Sequence, residues 1–249
     1  NLGTLGGSYS AAYAINNNGQ VAGQSWTFND IAAHAFLYSS GTMTDLGTLG
    51  GTGSLGLGIN NSGQVVGTSY LAGNTVLHPF LYSGGTMVDI ATAGTTDSFR
   101  PYAINDNGQI AGTVITSAGN SRASLYTEGT MTNLDTSSAY YSDAYAINNN
   151  GQVVGSFHAN VGSPNHAVIY SNGTMTDLNG ALGLTGSTSS FARDINNNGQ
   201  IVGSYVSTGT SIRHAFLYSA GARTDLGTLG GTDSLATGIN NNGQVVGVA

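Results

Sequence analysis

Four of the five histidines in this 249-residue chain, His34, His78, His166 and His214, are each followed at one fixed interval by an aspartate: Asp45, Asp89, Asp177 and Asp225. Imidazole and carboxylate relay protons and ligate transition metals, so this set is the first place to look for chemistry. Its spacing argues against both uses. Each histidine holds the same position in a repeat, so the set is spread through the fold instead of gathered on one ion. Each imidazole is expected to bond a neighbouring loop or the recurrent carboxylate and so pin its repeat, and no metal site is expected. The loops Asn16-Asn17-Asn18-Gly19 and Asn105-Asp106-Asn107-Gly108 share the outline of calcium loops, but calcium wants several carboxylates and a distal glutamate. Only Asp106 is charged there, and the single glutamate, Glu128, lies elsewhere.

No nucleophile elbow, phosphate loop or zinc-type histidine pair occurs, and no spacing selects two carboxylates as acid and base. Neither catalytic residues nor a cofactor are expected. Ligand binding has more specific candidates, at places where one repeat breaks the pattern. Arg193-Asp194 stands where other copies carry Tyr-Ala, Leu-Gly or Thr-Gly, and Arg100 lies just ahead of the corresponding strand of the third copy. Charges there either meet a small polar ligand near the mouth of a central channel or make a local ion pair. Trp26 and Phe28, with Tyr70 and Tyr205 near the equivalent place in other copies, offer rings that stack on sugars or simply pack strand ends. Asn60 and Asn172 open formal N-glycosylation triplets within turns.

The elements that position these residues follow from a repeat of about 44 residues. An Ile-Asn pair opening a Gly-Gln turn recurs at Ile15, Ile59, Ile104, Ile147, Ile195 and, in a partial copy, Ile239. A second block ends in tyrosine at Tyr38, Tyr82, Tyr126, Tyr170 and Tyr218. Each unit divides into two hairpins: Ala12 to Ile15 turning through Asn-Gly into Gln20 to Gly23, then His34 to Tyr38 turning through Ser40-Gly41 into Thr42 to Leu46. Asn-Gly predicts a primed two-residue turn in the first hairpin. Adjacent apolar residues such as Val65-Val66, Val153-Val154 and Ile201-Val202 demand cover on both faces of the sheet, as for a propeller blade between two others. The expected fold is therefore an all-β propeller of four-stranded antiparallel blades, five full repeats plus a partial sixth, forming one repeat domain over residues 1–249. A β-solenoid is the alternative. The partial last hairpin, short of partners, is a candidate for strand donation between chains.

His34-Ala35-Phe36-Leu37-Tyr38 and His214-Ala215-Phe216-Leu217-Tyr218, with the run from Gly41 to Gly51, resemble the bacterial HAF-repeat family. The resemblance spans essentially the whole chain and implies a secreted bacterial repeat protein; it brings no activity and no catalytic residues. The third unit departs from the motif with Arg122-Ala123-Ser124, and the second reads His78-Pro79-Phe80.

Composition narrows the function classes. A formal charge of −7 with five arginines and no lysine repels nucleic acid, and no apolar run is long enough to predict membrane insertion. Without cysteine there are no disulfides or thiolate sites. The start at Asn1, inside a repeat, is read as a processed end. The expected role is a non-catalytic extracellular scaffold or adhesion protein that associates with itself, with a carbohydrate-binding module as the alternative.

Overall fold

The computed structural model describes residues 1–91, 98–135, 139–185, 188–206 and 209–249, so the insertion expected from Asn179 to Phe191 is described except for residues 186 and 187. The first repeat supplies β1 (Gly6–Ile15), β2 (Val21–Thr27), β3 (Ala33–Ser39) and β4 (Thr42–Asp45); the second, β5 (Gly50–Ile59), β6 (Val65–Leu71), β7 (Leu77–Ser83) and β8 (Thr86–Asp89). The third gives β9 (Ser98–Ile104), β10 (Ile110–Ile115), β11 (Ser121–Thr127) and β12 (Thr130–Asn133); the fourth, β13 (Tyr141–Ile147), β14 (Val153–His158), β15 (His166–Ser171) and β16 (Thr174–Asp177). The fifth gives β17 (Ser190–Ile195), β18 (Ile201–Val206), β19 (Arg213–Ser219) and β20 (Ala222–Asp225), followed by the hairpin β21 (Leu235–Ile239) and β22 (Val245–Val248). Strands pair in sequence order within each repeat. One parallel pairing, Ala33 with Gly53, joins the first two repeats into an eight-stranded sheet. The chain divides into two compact units, Asn1–Gly119 with Tyr126–Met131, and Asn120–Leu125 with Thr132–Ala249.

The two hairpins of a repeat turn differently. In the first hairpin only the glycine is left-handed: Gly19 has φ 72°, its amide donates to the Asn16 carbonyl, and the Asn16 amide donates to the Gln20 carbonyl. This is a three-residue loop, a type I turn closed by a left-handed glycine, and it replaces the primed turn predicted from Asn-Gly. The Asn16 side chain explains the choice, since its Oδ1 accepts the amides of Asn18 and Gln20 and supports the longer loop. The primed turn occurs instead in the second hairpin, where Ser40 and Gly41 have φ 51° and 85° and Asn172 and Gly173 have φ 51° and 73°.

Neighbouring residues on the second strand feed two different cores. In the first unit, Val65 packs with Ala22, Ala35 and Leu46 of the preceding repeat, whereas Val66 packs with Phe99, Ile104 and Ile110 of the next. In the second unit, Ile201 packs with Val154, Ala167 and Leu178, whereas Val202 packs with Ala236 and Val245. The sheets of the second and fifth repeats are thus covered on both faces, which is why their second strands lack polar alternation.

Hydrogen bonds lock these stacked faces. Asn16 and Asn60 donate through Nδ2 to the carbonyls of Asn60 and Asn105 at 2.8 and 3.1 Å; in the second unit Asn148 and Asn196 reach the carbonyls of Asn196 and Asn240, each at 3.0 Å. A buried serine in, or just before, the first strand of a repeat accepts the third-strand amide of the one before it: Ala35 to Ser54, Ala123 to Ser142, Ala167 to Ser190 and Ala215 to Ser234. Pro79 and Phe99 occupy this donor and acceptor position in the second and third repeats. Proline has no amide to donate, and a buried phenylalanine fills the place of the hydroxyl, so both polar groups are absent together.

Candidate functional site

The four His–Asp pairs are formed across the hairpins of the third and fourth strands. Nδ1 of His34, His78, His166 and His214 lies 2.9, 2.7, 2.6 and 2.8 Å from a carboxylate oxygen of Asp45, Asp89, Asp177 and Asp225. The other oxygen of each aspartate accepts an amide two residues on, at Gly47, Ala91, Asn179 and Gly227, which turns the chain out of the fourth strand. At Asp225 burial opposes ionisation, yet the Gly227 amide, the Tyr205 hydroxyl and His214 together hold the carboxyl below its ordinary range. The third repeat shows what each partner contributes. Asn133 keeps the amide bond, to Asp135, but carries no charge, and Arg122 in place of histidine donates to the carbonyls of Ser121 and Tyr140.

The aromatic candidates separate. Trp26 is 38% exposed on β2, Phe28 70% in the 3-10 turn that follows it, and Tyr70 39% on β6. Tyr205 differs from them: it is buried, its hydroxyl donates to Asp225 Oδ2 at 2.8 Å, and Arg223 covers its ring at 4.2 Å. That ring has no face open to a sugar. Sequence reading missed another aromatic group, in which Tyr141 stacks on His158 at 5.0 Å and Tyr140 meets both edge-on. Its members are adjacent only because β13 and β14 pair, through Tyr141 and His158.

Of the two glycosylation triplets, Asn172 sits in an exposed turn, whereas Asn60 is buried with its Nδ2 committed to Gln64 Oε1 and the Asn105 carbonyl. A glycan on Asn60 would break the inter-repeat bond, so the folded chain does not offer that site. Among the described residues no cluster of histidine, aspartate or glutamate is arranged to hold a metal ion.

The charged departures fall in different places. Arg100 is exposed on β9 in the first unit. Asp194, on β17 in the second, is committed to the fold: its two oxygens accept the amides of Ile195 and Ile239, each at 2.8 Å, tying β17 to β21. Burial pushes its carboxyl up to about 6 in spite of these bonds. Arg193 turns the other way, with its guanidinium 4.7 Å from the Tyr145 ring and 5.1 Å from that of Phe191. It lines a cavity of about 300 Å³ with Phe191, Ser204, Arg213, Leu235 and Thr237. Arg213, twenty residues away in sequence, joins it because β18 and β19 return the chain beside β17.

Successive four-stranded antiparallel sheets that pack face to face define the β-propeller class. Solved structures of that class agree. The β-propeller domain of the Trilobed protease from Pyrococcus furiosus, described as having an open velcro topology, aligns with a TM-score of 0.63 at 9% identity over 97% of this chain and 77% of that one. TolB from Acinetobacter baumannii aligns at 0.55 and 14% identity over 86% of this chain, and a puromycin-hydrolyzing peptidase from Mycobacterium tuberculosis at 0.59 and 10% over 88%. The alignments take in 52% of the TolB chain and 36% of the peptidase. At such identities the likeness is one of fold. A family model described as a protein of unknown function (DUF3466) matches residues 116–226, and a search of the curated proteins gives no match.

Proposed function

We propose that this chain is a non-catalytic, extracellular β-propeller module acting as a scaffold that associates with copies of itself. The observation that carries the reading is the packing that joins consecutive repeats face to face: Val65 and Ile201 enter the core shared with the repeat before, Val66 and Val202 the core shared with the repeat after. In the first unit Ile15, Tyr9 and Tyr13 are 70%, 58% and 53% exposed, although Ile59 at the position of Ile15 is buried. In the second unit Val246 and Val248 are 65% and 64% exposed, although Val202 at the position of Val246 is fully buried. A second copy offers surfaces and strands of the matching design, because the same packing already joins consecutive repeats. The extracellular setting is supported by the HAF-repeat resemblance; among the described residues no helix is long and apolar enough to cross a membrane.

Sedimentation velocity over a wide concentration range tests this. Oligomers that grow with concentration and are lost in Val246→Asp are expected, and monomers throughout would remove the reading. Carbohydrate binding is the second reading, favoured by the exposed rings of Trp26, Phe28 and Tyr70. Monomers retained on a glycan surface, and released by Trp26→Ala, would put it first.

A further inference from the structure

The cavity bounded by β17, β18, β19 and β21 lies outside the repeated machinery, and two arginines face it. They are two of only five cationic side chains in a chain of formal charge −7. Both break the repeat. Arg193 stands where other copies have Tyr13, Leu57, Tyr102, Tyr145 and Thr237, and Arg213 where they have Ala33, Leu77, Ser121 and Asn165. Two carboxylates beside them in sequence or pairing hold backbone amides: Asp194 those of Ile195 and Ile239, and Asp233 that of Arg213; Asp143 lies beyond Tyr145, with Oδ2 3.5 Å from its hydroxyl. The ion pairs among the described residues are the four His–Asp pairs, so neither guanidinium is neutralised by one. Arg193 is oriented by the two rings beside it, and an oriented guanidinium presents a fork of donors that matches an oxyanion. A volume of about 300 Å³ falls at the small end of ligand sites, which run from roughly 300 to 1,000 Å³.

We infer that this cavity binds a small ligand carrying an oxyanion, whether carboxylate, sulfate or phosphate, on a compact body. Arg193 and Arg213 take the anion, the hydroxyls of Ser204 and Thr237 take adjoining polar groups, and Phe191 with Leu235 packs the ligand's apolar face. The site needs nothing from self-association, so a monomeric chain leaves it intact.

The probes are D-glucuronate, glucose 6-sulfate, glucose 6-phosphate, inorganic sulfate and neutral glucose, titrated calorimetrically at low and high salt. At least one anion is expected to bind, more weakly at high salt, while glucose does not. The three sugar anions distinguish the head group, and inorganic sulfate shows whether a free anion suffices. Arg193→Tyr and Arg213→Ala, each installing the residue of another repeat, are expected to weaken binding about tenfold or more with little change in melting temperature. Since the Arg193 change also alters a ring contact, amide shifts of Ser204 and Thr237 in the unaltered protein give a second readout. No binding by any anion, equal binding of glucose, unchanged affinity in both variants, or shifts confined to other residues would each overturn the inference.

Discussion

At the scale of single residues, Asp194 shows how one departure from a repeat changes the response to pH. Alanine or glycine fills its position elsewhere, at Ala14, Gly58, Ala103, Ala146 and Gly238. Burial lifts its carboxyl to about 6, whereas in the unfolded chain it titrates near the ordinary value of about 3.9. Between those values the folded state keeps a proton that the unfolded state has released. The stabilisation from this group is therefore fully present below about pH 4 and is lost as pH rises through 6, with a ceiling of about 3 kcal/mol. Asp194→Ala should abolish that slope. Melting curves from about pH 4 to 7 are expected to show the parent losing stability relative to the variant, and a gap that does not vary with pH would refute the assignment. The His–Asp pairs are a different case, because each aspartate also ends a strand through its second oxygen. Their regular spacing is accounted for by that structural work.

At the scale of the hairpin, the decisive residue is a glycine whose role the apolar pattern conceals. A bulge in the first strand of each repeat, such as the register shift between Ala144 and Ala146, drives a carbonyl towards the second strand. A Cβ on Gly155 would overlap the Asp143 carbonyl oxygen, and Gly67 and Gly203 meet the carbonyls of Leu55 and Phe191 in the same way. No left-handed backbone is involved; close approach alone requires glycine there. Gly155→Ala is expected to cost about 1–3 kcal/mol or more in chemical denaturation, the penalty of overpacking a site that cannot yield. A loss within error of zero would mean that the bulge relaxes. The first-hairpin turn carries a related lesson. Asn-Gly alone points to a two-residue primed turn, but the asparagine two residues before it, Asn16, recruits the amides of Asn18 and Gln20 and selects the longer loop.

At the scale of the molecule, repeats are joined by a small set of recurring bonds between consecutive sheets. The serine–amide contact is the most exacting, because both groups are buried and the hydroxyl is used twice: Ser54 accepts the Ala35 amide and donates to the Gly47 carbonyl. Ser54→Ala would strand the Ala35 amide and is expected to cost about 1–3 kcal/mol in the first unit's unfolding. No measurable loss would show that water or a shifted neighbour replaces the hydroxyl. Pro79 and Phe99 are the natural counterpart, a junction from which donor and acceptor are both missing, and there packing of Phe99 with Val66 and Ile90 does the joining. The same recurrence underlies the self-association reading, since a surface that fits the next repeat also fits that repeat in another copy.

The sequence by itself determined the period, the division of each repeat into two hairpins, the two-faced second strands and hence the propeller class, because these depend on local spacing and on which side chains avoid water. It also placed the histidines and aspartates at one position per repeat. Only the tertiary structure decided which side chains meet across strands and between sheets. It buried Tyr205 under Arg223, committed Asn60 and Asp194 to backbone partners, and brought Arg213 to Arg193. Those outcomes turn on strand register, on a bulge and on distances of a few ångströms between residues remote in the chain, and a linear pattern of polar and apolar residues does not encode them.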